Sequence, residues 1–157
     1  MIDLREYITP NTPLIQKIIR EYNLQTVEDV FIFMRDMIST EADEWDEWFL
    51  PDQTLMRAMK GIGSDCEDKA CTGISIMKTL YPNLNAFVYI FFIPERNENH
   101  AIILVDNMIY DPTFMINGKG LGTGATIPNV DPFANPVVLW DDQQLVVYDE
   151  TAYQNLL

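Results

Sequence analysis

Apolar residues recur at helical spacing in the first part of the chain and at strand spacing in the second. Leu14, Ile15, Ile18, Ile19 and Tyr22 form a stripe at intervals of three and four. It follows Thr12-Pro13, where threonine caps the helix and proline opens the first turn. Thr26-Val27-Glu28-Asp29 starts a second helix with Val30, Phe31, Met34 and Ile38 facing inward. A short helix is expected over residues 54–60, ending at Gly61, and a longer one from 64 or 65 to about 80. The buried stripe of the long helix is Cys66, Ala70, Gly73, Ile74 and Met77, which places Cys66 in the first turn, facing the protein.

After Pro82 the pattern changes. Residues Ala86–Ile93 are apolar on both alternating sets, the mark of a central strand covered on both faces. Segments 100–105 and 108–111 flank Asp106-Asn107, a strong two-residue hairpin turn. Residues 117–136, with four glycines and three prolines, read as a long loop, and 137–140 and 145–148 as two more strands. Helices followed by an antiparallel sheet predict an α+β fold.

The 157 residues suit a single domain. Its parts are a helical region over 1–60, a core over 61–114 and a loop with C-terminal strands over 115–157. An apolar content of 48% excludes a disordered tail. With 24 acidic against 10 basic residues the net charge is −14, which repels phosphate backbones and anionic headgroups, so neither nucleic acid nor a membrane surface is the expected partner. The first residues lack the basic start and apolar core of a secretory signal, so the expected location is cytoplasmic. Cys66 and Cys71 lie five apart on one expected helix, pointing about 140° apart with α-carbons roughly 8 Å distant. No disulfide can join them, and free thiols suit a reducing compartment.

A cysteine becomes a nucleophile as the thiolate, and the first turn of a helix favours that form through its dipole and unpaired N–H groups. The same N–H groups can hold an oxyanion. The chain has one histidine, so any Cys-His chemistry must use His100 as base. If Asp106-Asn107 is the turn, Val105 pairs with Met108 and Ile102 with Asp111. His100, Ile102, Leu104, Ile109 and Asp111 then share one face, with His100 and Asp111 diagonal neighbours. A carboxylate there would fix the imidazole tautomer and favour the imidazolium.

Three ordered segments resemble the transglutaminase-like cysteine enzymes, and most closely the bacterial cysteine-proteinase branch. Gly61-Ile62-Gly63-Ser64-Asp65-Cys66-Glu67-Asp68-Lys69-Ala70 resembles the nucleophile motif, His100-Ala101-Ile102 the His-Ala strand and Tyr110-Asp111-Pro112-Thr113 the strand carrying the acid. Trp48-Phe49-Leu50-Pro51 resembles the lead-in to the nucleophile helix. Ile102 replaces the common Trp after His-Ala, and Ser64 intervenes between Gly63 and Asp65. The resemblance implies a papain-like core and a thioester formed by attack of Cys66 on an amide carbonyl of a protein or peptide. Water or an amine would be the acceptor, and no cofactor would be required.

Each feature has a plainer reading. Cys66 can be a small buried core residue, as Cys71 is expected to be. Asp111 can be a turn residue before Pro112. Asp65, Glu67 and Asp68 can be favourable charge at a helix start, or, as the resemblance implies for Asp65 and Glu67, ligands for Ca2+. Trp45 and Trp48 are core or the walls of a cleft, and Gln53 is a candidate oxyanion donor. The glycine-rich run 118–124 lacks the Gly-Lys-Ser/Thr ending of a phosphate loop and reads as a mobile loop near the site. The alternative to an enzyme is a silent domain of the same fold, serving as a binding or structural subunit.

Overall fold

The computed structural model describes residues 2–41, 47–112, 115–116, 119–120, 126–127 and 129–157. Helix α1 is Pro13–Glu21, capped by the Thr12 side chain, which accepts from the Ile15 N–H. Helix α2 is Val27–Met37 and opens on a reciprocal capping box between Thr26 and Asp29. Helix α3, Pro51–Met59, starts three residues earlier than expected, because Pro51 fits its first turn. Helix α4, Cys66–Leu80, has Asp65 as its cap, so the nucleophile candidate is its first residue.

Strands β1 (Ala86–Ile93), β2 (Glu98–Val105) and β3 (Met108–Tyr110) follow, then a short pair, β4 (Met115–Ile116) and β5 (Lys119–Gly120). Strands β6 (Pro136–Trp140) and β7 (Leu145–Val147) complete a five-stranded sheet of order β3-β2-β1-β6-β7. All its pairings are antiparallel. The hairpin register is the expected one, with Val105 opposite Met108 and both turn residues at positive φ (48° and 68°). The fold is α+β, as the pattern predicts. Helix α5 (Glu150–Leu156), capped by Asp149, was not expected from the sequence.

The central strand is covered on both faces. Val88 and Ile90 pack with Ile74, Met77 and the α1–α3 residues Ile15, Met34 and Leu55. Tyr89, Phe91 and Ile93 join Ile102, Leu104 and Ile127 on the other face. Each buried aliphatic side chain contributes roughly 1.5–3 kcal/mol. Two glycines set how close α4 and its lead-in can come. A β-carbon on Gly73 would meet Ile103 Cδ1 at 2.8 Å, so α4 lies directly on β2. One on Gly63 would sit 2.7 Å from the Ser39 carbonyl oxygen, where Ser64 N–H also donates to that carbonyl at 2.9 Å. The far end of α4 is tied by Lys78, whose Nζ meets Asp141 Oδ2 at 2.9 Å just after β6. No described helix is long and apolar enough to cross a membrane.

Candidate active site

Four segments converge on the start of α4. Cys66, Glu67, Trp48, His100 and Ala101 line one cavity of about 190 Å3, together with Ile90, Asn99 and Leu156. Cys66 is partly buried and Cys71 fully buried, and both are free thiols. His100 Nε2 lies 2.7 Å from Asp111 Oδ2, so the diagonal pairing expected of the hairpin exists. Asp111 is fully buried, and the Thr126 hydroxyl donates to the same Oδ2. The edge of the His100 ring meets Phe91 (centroids 5.7 Å apart, planes at 87°), which limits rotation of the imidazole. With Nε2 engaged by Asp111, Nδ1 is the nitrogen left to serve a thiol.

The Cys66 environment opposes the thiolate. Burial pushes its thiol well above the usual range, and the charges of Glu67 and Asp65 push the same way. The thiol donates to Glu67 Oε2 at 3.3 Å, a bond that also holds the protonated form. The Ala101 N–H, directed at the sulfur, works in the other direction. The helix dipole and a nearby imidazole predict a depressed thiol pKa. Desolvation and the two acids push the thiol in the opposite direction.

The other expected residues fall as follows. Trp48 lines the cavity, donates its indole N–H to Leu156 O at 3.3 Å, and packs against Tyr7 and Trp140. Gln53 does not line the cavity. Its Oε1 accepts from Leu50 N–H at 2.8 Å at the start of α3, because an amide three residues into a helix reaches back to the cap. Trp45 and most of the glycine-rich run lie outside the described residues. In the first turn of α4 the Asp68 N–H is taken by the Asp65 side chain and the Lys69 N–H by the Asp65 carbonyl.

Asp65 and Glu67, the candidate calcium ligands, do different things. Glu67 holds the Cys66 thiol, whereas Asp65 sits against Asp68, whose carboxyl is pushed up to about 9 by burial and by its bond to Asp65. Asp68 Oδ1 also accepts from Phe49 N–H at 3.0 Å, tying the Trp48 segment to α4. Among the described residues no group of three or more His, Cys, Asp or Glu is placed to hold a metal ion. Two pressed carboxyls are donors a hard cation accepts, but they are fewer than the six to eight oxygens calcium takes.

Thr126, Lys69, Asn99 and Leu156 were not singled out from the sequence. Thr126 and Leu156 belong to segments distant from the motifs and carry no local signal. Lys69 lies inside the nucleophile motif, and its place one turn after Cys66 is the clue that could have found it.

No protein-family model and no curated protein sequence matches this chain. Solved structures do. LapG of Legionella pneumophila in its calcium-bound form aligns with a TM-score of 0.54 at 19% identity, over 86% of each chain. The chain shares the LapG fold. The EGTA-treated form of LapG gives a TM-score of 0.52 at 18% identity, over 95% of this chain and 74% of that one. A candidate cysteine protease of Cytophaga hutchinsonii gives 0.53 at 14% identity, over 94% of this chain but only 54% of its own. The α+β architecture is therefore the papain-like, transglutaminase-like one that the three motifs resemble.

Proposed function

We propose that the protein is a cysteine-dependent amide hydrolase or acyltransferase acting on a protein or peptide. The observation that carries this reading is the His100–Asp111 bond at 2.7 Å, made behind an imidazole that lines the same cavity as Cys66. Cys66 is the nucleophile, His100 the base and Asp111 the acid that orients it. Substrate binding expels water, and the thiol proton passes to His100 Nδ1 as sulfur attacks the amide carbonyl. The oxyanion is received by the N–H groups of the α4 first turn. The imidazolium then protonates the departing amine, leaving a thioester, which water or a second amine resolves with His100 again as base. Trp48 and Leu156 wall the cavity where the acyl side chain would lie. The fold of LapG and of a candidate cysteine protease supports the assignment, and two free thiols suit a reducing, cytoplasmic setting.

Iodoacetamide tests the nucleophile without a known substrate. Near neutral pH, Cys66 is expected to label much faster than Cys71, as resolved by peptide mass spectrometry, and His100→Ala should slow Cys66 alone. The histidine dependence decides, since Cys71 is slow through burial in any case. The elevated Cys66 thiol favours a second reading, a silent domain of this fold used for binding or assembly. Slow labelling of both cysteines, indifferent to His100, is the outcome that selects it.

Calcium belongs to this reading as an ion that Asp65 and Glu67 would help to hold at the start of α4, beside the carboxyl of Asp68. The calcium-bound state known for LapG supports testing it. Calcium should raise the melting temperature relative to EGTA, and Asp65→Ala should abolish the difference. Identical melting curves would leave the acids as helix-terminal charge.

A further inference from the structure

Strand β3 stops at Tyr110, so no ladder hydrogen bond of that pairing holds Asp111 where His100 needs it. Lys69 lies beside that segment. It is 1% exposed, and its ammonium donates to Pro112 O at 2.9 Å, Ile38 O at 2.7 Å and Thr40 Oγ1 at 3.2 Å. None of these acceptors is a carboxylate. An ammonium so buried loses its hydration, and an apolar side chain of similar volume would avoid that loss. Its position explains what it does. Lys69 follows Cys66 by one turn of α4, and it grips the carbonyl of the residue directly after Asp111. Proline there has a fixed φ, so holding its carbonyl restrains the acid that precedes it. The ammonium also places a positive charge near the fully buried Asp111 carboxylate and near Cys66.

We propose that Lys69 is a positioning residue that joins the nucleophile helix to the Asp111–Pro112 segment and holds Asp111 on His100. The assignment deepens the proposed Cys-His-Asp site and rests on it, but its geometry is readable without catalysis. The ammonium is held by three oxygen acceptors on three segments, Ile38, Thr40 and Pro112. Among the described residues, Cys66 and Glu67 line the cavity at His100, Asp111 is bonded to the imidazole, and Asp65 and Lys69 act on these groups from α4 and its cap.

The chain has one histidine, so its ring resonances report His100 without assignment ambiguity. Titrating them by NMR separates three roles. If Lys69 holds Asp111 in place, Lys69→Met should lower the His100 midpoint. It should have little effect in an Asp111→Asn background, where the carboxylate is already gone. A lysine acting only as a nearby charge would raise the midpoint on removal, and one that only packs would leave it unmoved; either result overturns the proposal. Should Lys69→Met fail to fold, Thr40→Val decides. It removes one acceptor from an exposed residue and should shift the midpoint down by a smaller amount, while no shift would overturn the proposal. Cys66 labelling that ignores His100 would defeat the proposed chemistry, yet the titration would still judge Lys69.

Discussion

At the scale of single residues, the surroundings of Cys66 favour the protonated thiol. Desolvation comes first, then the Glu67 carboxylate, and both favour the thiol. Glu67→Gln removes the charge while keeping the length of the side chain. The pH midpoint for Cys66 alkylation should fall and its rate near pH 7 should rise, while Cys71 stays slow; an unchanged profile would mean that burial alone sets the thiol. Asp111→Ala should reduce turnover by roughly 10²–10⁴-fold. Turnover like the native protein's would return Asp111 to the role of a turn residue before Pro112. The three candidates Cys66, His100 and Asp111 were legible in the sequence because each follows from local pattern. A helix start, a lone histidine and a two-residue turn suffice. The sign of the Cys66 shift was not legible, because desolvation depends on what other segments lay over the sulfur.

At the scale of elements, α4 is fixed at both ends. Near its start, Gly63 passes so close to Ser39 and Glu41 that an added methyl would meet backbone. Gly63→Ala is therefore expected to cost about 1–3 kcal/mol and to lower the melting temperature, with Cys66 labelling altered as the helix start shifts. Near its other end, the Lys78–Asp141 pair is buried on both sides. Lys78→Ala leaves a buried carboxylate uncompensated, and chemical denaturation should show a loss of about 3–5 kcal/mol. Burial would raise the Asp141 carboxyl, but its bonds to Lys78 and to the Gln144 and Gln143 N–H groups prevail and lower it. A depressed carboxylate contributes stability above its unfolded pKa, near 3.9, and that contribution is lost as pH falls through the folded value. Denaturation midpoints should therefore drop more steeply below pH 4 in the native protein than in Asp141→Asn.

At the scale of the whole molecule, the net charge of −14 is borne by one fold. Self-repulsion should make added monovalent salt raise the melting temperature. A flat response between low salt and about 0.15 M would show that the acids are locally compensated. The sequence by itself determined the order of α1 to α4 and of the five strands of the main sheet, the hairpin register and the identity of the three candidate site residues. Each of those depends on periodicity, caps and turn residues within a few positions of one another. Only the tertiary structure decided that Thr126 reaches Asp111 and that Leu156 of an unexpected helix walls the cavity. It also set the Lys69 ammonium against the Pro112 carbonyl, beside Asp111. Those contacts join residues 15 to 108 positions apart, and burial and distance between remote segments leave no mark on local pattern.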